Sequence, residues 1–114
     1  MRGTSPWGRK VATILEAVRR AGRVRILYLP HAVKQMVRPD RLISPGEVER
    51  VVVEGDLIED YPEDPRGHSC LLLGAPTGRP VHVVCPPRTE YLAIITAYVP
   101  EPRQWSPDFR RRIG

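Results

Sequence analysis

"SPGEVERVVVEGDLIEDYP", residues 44–62, changes its period half-way, and that change decides the fold. The first half carries the marks of a helix start. Ser44 can accept from the backbone three residues on, Glu47 can reach back to the serine, and Pro45 sits at the first helical position, where no donor is needed. Gly55 stops that helix. From Asp56 the period is two, so "DLIEDY" reads as a strand.

Toward the C-terminus the period of two persists. "PEDPRGH" is a polar loop, "SCLLLG" a strand, "APTGR" a turn, "PVHVVC" a strand, "PPRTEY" a turn and "LAIITAYV" a strand. Short connections join neighbouring antiparallel strands, so these four form a meander. The tail "PEPRQWSPDFRRRIG", residues 100–114, holds too many prolines for regular structure, and Trp105 and Phe109 are placed to pin it back onto the body.

Toward the N-terminus the pattern is helical. "SPWGRKVATILEAVRRAGR" has Ser5 as cap, Pro6 at the first position, and Val11, Ile14, Leu15 and Val18 on one face, with Gly22 placed to end a helix of about four turns. Arg19, Arg20, Arg23 and Arg25 gather at its exit, where they suit the negative end of the dipole and read either as a solvated helix end or as a phosphate clamp. "VRILYL" is a short strand or extended lead, and "HAVKQMV" a helix with Ala32, Val33, Met36 and Val37 at helical positions before Pro39 breaks it. The expected architecture is α+β in one domain. N-terminal helices (about residues 5–55) pack on one face of a four-stranded antiparallel β-meander (about 56–99), followed by a Pro- and Arg-rich tail.

Composition sets the class. A chain of 114 residues, 41% hydrophobic and 27% charged, is long enough for one core and ordinary for a soluble globular protein. No apolar run approaches the roughly 20 residues of a membrane helix, and the first residues lack a signal-peptide core, so a cytoplasmic protein with no membrane partner is expected. Cys70 and Cys85 are too few for a disulfide framework and read as small buried hydrophobes. The net charge is +5, and Lys10 and Lys34 are the only lysines among the basic residues. Arginine's fixed fork of donors matches phosphate and carboxylate, which is compatible with RNA or an acidic protein as partner.

Phosphate-binding glycine loops, dinucleotide fingerprints, nucleophile elbows and zinc-protease helices are absent, so the common nucleotide and hydrolase classes are disfavoured and no cofactor is expected. Four metal-type side chains stand in or beside adjacent strands: His68, Cys70, His82 and Cys85. His68 and Cys70 share a strand face, but His82 and Cys85, three apart, point to opposite faces and cannot serve one ion without a bulge, so no metal is expected either.

A second constellation is His31 with Lys34 one turn on, His82 in an apolar strand, and Thr96 and Tyr98 sharing a face of the adjoining strand. RNA cleavage without metal needs a base for the 2′-hydroxyl, cations for the phosphorane and an acid for the leaving oxygen. A sheet face carrying His82, Thr96 and Tyr98 and turned toward His31 would supply that set. The same residues also read as a buried hydrogen-bond network and ordinary strand formers.

"PHAVKQM", "ISPGEVERVVVEGDLIEDYP", "CLLLG", "GRPVHVV" and "IITAYVPEPRQWSPDFRRR" together resemble the bacterial and archaeal domain-of-unknown-function family 4258, from about residue 10 to the end. The resemblance implies a compact α+β fold and recurrent polar positions at His31, His82, Thr96, Tyr98 and the basic tail around Arg110. At the level of fold it also resembles small ribonuclease toxins of the RelE and BrnT kind. Where the family has an arginine four residues after the first histidine, this chain has Gln35, so either Arg38 or Arg41 supplies that cation or this member has lost the activity. The resemblance thus implies a metal-independent endoribonuclease of the toxin type. His31 and His82 would be its acid and base, with Tyr98 and Thr96 positioning. Lys34, Arg38, Arg41 and Arg110 would bind phosphate, and an acidic antitoxin-like protein would be its partner. The competing reading is a non-catalytic module that binds RNA or protein.

Overall fold

The computed structural model describes the backbone over residues 6–113 and the side chains over residues 14–113; the Ser5 cap and the Val11 side chain lie outside these. The elements in chain order are α1 (Pro6–Val24), β1 (Ile26–Tyr28), α2 (Pro30–Met36), α3 (Pro45–Glu54), β2 (Asp56–Tyr61), β3 (Ser69–Gly74), β4 (Val81–Cys85), β5 (Leu92–Ile94) and β6 (Thr96–Tyr98). The architecture is α+β, with a four-stranded antiparallel sheet in the order β2-β3-β4-β6.

The change of period at Gly55 is built as the sequence implies. The Ser44 hydroxyl accepts from Glu47 N at 3.1 Å, and the Glu47 carboxylate accepts from Ser44 N at 3.2 Å. Gly55 is needed for space, since a Cβ there would stand 2.5 Å from the Val51 carbonyl oxygen and 2.9 Å from that of Leu73. That clearance lets α3 end directly against β3 while the chain turns into β2.

The sheet has two different faces. Cys70, Leu72, Val81, Val83, Cys85 and Ala97 point inward to one cluster with Ile14 and Val18 of α1, Ala32 and Met36 of α2, and Val48, Val51 and Val52 of α3. Each fully buried aliphatic side chain stabilises by about 1.5–3 kcal/mol, so this layer carries the bulk of the fold. Alternation puts Leu71, His82, Thr96 and Tyr98 on the outer face.

Two expectations are corrected. "LAIITAYV" is not one strand, because the chain bends at Ile95. Its first part, β5, leaves the meander to pair in parallel with β1, while β6 pairs with β4. The short lead "VRILYL" supplied the partner, through bonds such as Leu92 N to Arg25 O at 2.8 Å and Leu29 N to Ile94 O at 3.1 Å. Gly22 does not end α1, which runs on to Val24. It gives clearance to Val52, whose Cγ1 would stand 3.0 Å from a Cβ at residue 22.

The tail is ordered without helix or extended strand. After Pro100 it folds into a small hairpin, bridged between Trp105 and Arg112 and closed by Ser106 N to Arg111 O at 2.7 Å and Ile113 N to Gln104 O at 2.9 Å. Ser106 Oγ accepts from Arg110 N and Arg111 N and donates to Asp108. Phe109 takes a positive φ of 62° at the bend. This hairpin lies across the outer face of the sheet. Among the described residues no helix is long and apolar enough to cross a membrane.

Candidate functional site

His82 stands at the centre of the outer face and is sealed, with 0% of its surface exposed. Tyr98 is its direct partner in register on β6, with ring centroids 5.3 Å apart at 73°. Trp105 of the tail closes over it at 4.4 Å and 81°, both edge-to-face arrangements. The ring's tautomer follows from its partners. Phe109 O can only accept, so Nε2 carries the proton and donates to it at 2.9 Å, leaving Nδ1 to accept from the Tyr98 hydroxyl at 3.2 Å. Both nitrogens are satisfied in the neutral ring. Burial pushes the imidazole's pKa down, reinforced by Arg112, while the Phe109 carbonyl and Glu59 pull it back up. Burial also raises the Tyr98 pKa.

Around this centre two of the tail's arginines, Arg110 and Arg112, are committed. Arg112 makes a forked contact with Glu59, at 3.0 Å and 3.3 Å from Nε, and its guanidinium lies 4.7 Å over the Trp105 ring. Glu59 also accepts from the Tyr61 hydroxyl, and burial together with that bond pushes the Tyr61 pKa up to about 12. Arg110 pairs with Asp56 at 2.5 Å. The outer face is therefore a clasp in which one tryptophan and two arginines hold the tail on β2 and β4.

The structure divides the cleavage candidates. His31 is exposed on α2, whose buried residues Ala32 and Met36 pack with Ala97 on the inner side of the sheet. His82, Thr96 and Tyr98 are on the outer side, so the sheet lies between the two histidines. His82 and Tyr98 are brought together; Thr96, opposite Val84, is half-buried on the same face, and His31 joins none of them. The phosphate candidates also part company. Arg38 and Arg41 both turn to Asp40, at 3.4 Å and 3.6 Å, Arg110 is held by Asp56, and Lys34 is exposed on α2.

The metal-type residues disperse as well. Cys70 and Cys85 are register partners sealed in the inner core, and the Cys70 thiol points to the Cys85 carbonyl at 3.8 Å. His82 faces the other way, and His68, partly exposed, is tied to Asp60 at 2.5 Å. Among the described residues no three His, Cys, Asp or Glu side chains are placed to share an ion.

Sequence reading missed one grouping and saw only the α1 side of another. The first is a hub on Arg79, whose guanidinium grips Glu47 at 2.9 Å and the carbonyls of Arg41 at 2.6 Å and Leu42 at 3.0 Å, while Thr77 donates to the same carboxylate. The Arg79 bond holds the Glu47 carboxyl below its usual range, against its burial. It also secures Leu42, a non-glycine residue at φ 49°, a conformation that costs about 1–2 kcal/mol. Capping explained Glu47 in the sequence, and nothing local linked it to Arg79, 32 residues on.

The second grouping is an open basic end. The pairing of β1 with β5 brings the β4–β5 turn, residues 86–91, against the exit of α1. Between them lies a cleft of about 880 Å³ lined by Ala17, Arg20, Ala21, Pro87, Arg88, Thr89, Glu90 and Tyr91. Arg23 and Arg25 are exposed near the same end of α1, Arg23 on a separate cleft of about 530 Å³ that α1 forms with β1 and α3. Arg88 spends one nitrogen on the Arg66 carbonyl. Among the described side chains none of Arg20, Arg23, Arg25 and Arg88 has a carboxylate within ion-pair distance. By contrast, the cleft of about 490 Å³ beside the tail is lined by two neutralised pairs, Arg50 with Glu54 and Arg110 with Asp56.

Residues 28–99, well over half of the chain, match the profile described as Domain of unknown function (DUF4258). The chain belongs to the DUF4258 family. The match begins at Tyr28, the last residue of β1, and ends just after β6, so it contains β5, the whole antiparallel sheet, His31 and His82. Helix α1, which carries Arg20 and Arg23, Arg25 just after it, and the tail that covers His82 lie outside the DUF4258 match. Neither a curated protein nor a solved structure matches the chain.

Proposed function

We propose that this protein is an RNA-binding domain that grips the phosphate backbone at its basic end, through Arg20, Arg23, Arg25 and Arg88, without cutting it. The observation that carries this reading is the distribution of ion pairs. Seven arginines lie within ion-pair distance of carboxylates, at positions 38, 41, 50, 66, 79, 110 and 112; Arg20, Arg23, Arg25 and Arg88, like Arg19, Arg103 and Arg111, have no such partner among the described side chains, and of these Arg20 and Arg88 line one open cleft. Two of the chain's unpaired arginines thus share one open cleft in a protein of net charge +5. Unneutralised guanidinium groups beside a concave surface are what a polyanion needs, and each phosphate contact adds affinity by releasing counterions.

Cleavage by His31 and His82 would need both in one solvent-reached cleft. His82 is enclosed and neutral, with both nitrogens engaged in the clasp, which favours binding over catalysis.

The test is fluorescence anisotropy with labelled single-stranded RNA across about 50–200 mM salt, where three or four contacts give a log–log slope of about −2 to −3. Absence of binding at the lowest salt would remove the reading. RNA incubated in parallel with a chelator is expected to stay intact; cleavage that disappears in His31→Ala would replace binding with catalysis.

A further inference from the structure

We infer that the cleft between α1 and the β4–β5 turn seats one unpaired guanine of the bound RNA, a specificity that rests on the RNA-binding reading above. Three features of the cleft lead there. Ala17 and Ala21 keep the α1 wall low where it faces the turn, so the opening of about 880 Å³ has room for a whole nucleotide rather than a single phosphate. Tyr91 is half-buried on the opposite wall, and the bonds Arg88 N to Tyr91 O and Leu92 N to Arg25 O, both 2.8 Å, hold both polar groups of the peptide that follows it. A tyrosine held in this way is a platform on which an unstacked base can lie.

Glu90 is the decisive feature. It is exposed and lines the cleft with Arg20 and Arg88, yet among the described residues it is paired with neither. In a site that held phosphate alone, that carboxylate would repel the ligand. A base edge gives it a role. Guanine presents two adjacent donors, N1–H and the N2 amine, which match the two oxygens of one carboxylate. Adenine, cytosine and uracil each place an acceptor opposite one of those oxygens. That edge is hidden in a duplex, so the ligand is single-stranded. Arg20 and Arg88, which line the same cleft, then meet the flanking phosphates, Arg88 through the guanidinium nitrogens not bonded to the Arg66 carbonyl, and no bond is made or broken.

The experiment is anisotropy with oligouridines of about nine nucleotides that carry one central guanosine, inosine or adenosine, a length that spans one small binding surface. Wild-type protein should bind the guanosine oligomer about tenfold more tightly than the adenosine one, with inosine, which lacks the N2 amine, between them. Glu90→Gln should bring the guanosine oligomer to the affinity of the adenosine oligomer. Tyr91→Leu should weaken all three about tenfold, through loss of stacking. Pairing the guanosine oligomer with its complement should abolish the preference. Equal binding of the guanosine and adenosine oligomers by wild type, or a preference that survives Glu90→Gln, would overturn the assignment of guanine and leave RNA binding standing. If none of the oligomers binds, the RNA-binding reading itself falls.

Discussion

Arg112 and Arg20 carry the same guanidinium and belong to regions built on opposite principles. On the outer face of the sheet, Arg112 is spent on Glu59 and Trp105, His82 is enclosed between Tyr98 and Trp105, and Arg110 is tied to Asp56. At the exit of α1, Arg20 lines an open cleft and Arg23 and Arg25 are exposed, none of the three with a carboxylate partner among the described side chains. The first region converts polar groups into structure, and the second keeps them available. The lesson is that a histidine, a tyrosine and arginines gathered in one place are not a site until solvent can reach them.

The sharpest way to break this contrast is to open the clasp. Trp105→Ala should cost about 3–5 kcal/mol in urea denaturation, because the ring is nearly fully buried against His82 and leaves a cavity. A loss below about 1 kcal/mol would mean that the tail is a passive cover. The opposite region should respond in the opposite way. Arg20→Glu with Arg25→Glu should weaken RNA binding about a hundredfold at low salt and flatten its salt dependence, while shifting stability by no more than about 0.5 kcal/mol. A large stability change there would place those arginines in structure as well.

Within the clasp, Tyr98→Phe removes the hydroxyl that His82 Nδ1 accepts from and should cost about 1 kcal/mol, with RNA affinity unchanged. The pH dependence sharpens the same point. Burial lowers the folded-state pKa of His82, so in the unfolded chain the imidazole takes up its proton at a higher pH, near about 6.5. Its contribution is present above that pH and is lost as pH falls through the folded pKa, since the unfolded state binds the extra proton. The urea midpoint should therefore drop between about pH 7.5 and 5.5, and this drop should vanish in His82→Leu even though that variant starts less stable. The smallest expected effect belongs to Arg112→Ala. Its ion pair is exposed to water and screened, so the loss should be about 0.5–1 kcal/mol, part of it from the contact with Trp105.

The helix at residues 45–54 and the strand after it were legible because their signals are local. A capping serine, a glutamate three residues on, a stop at Gly55 and a change of period all act within a few residues. The outward alternation of His82, Thr96 and Tyr98 was legible for the same reason, since strand geometry alone sends them to one face. What covers that face was only half legible. Trp105 marked an anchor, but nothing local said that the anchor would land on His82 and remove it from solvent. The break at Ile95 was hidden because β5 and β6 are both apolar and differ only in their partners.

The sequence by itself determined the order of helices and strands, the antiparallel sheet and its two faces, the division of polar and apolar side chains, and the basic excess, because each follows from local periodicity, capping or composition. The tertiary structure alone decided which charges are spent and which are open. Arg79 reaches Glu47 across 32 residues, Arg112 reaches Glu59 across 53, and the β1–β5 pairing carries Arg88, Glu90 and Tyr91 to the exit of α1. Contacts of that range depend on how whole elements pack, since electrostatic partnership is set by distance in space and burial, neither of which a linear pattern encodes.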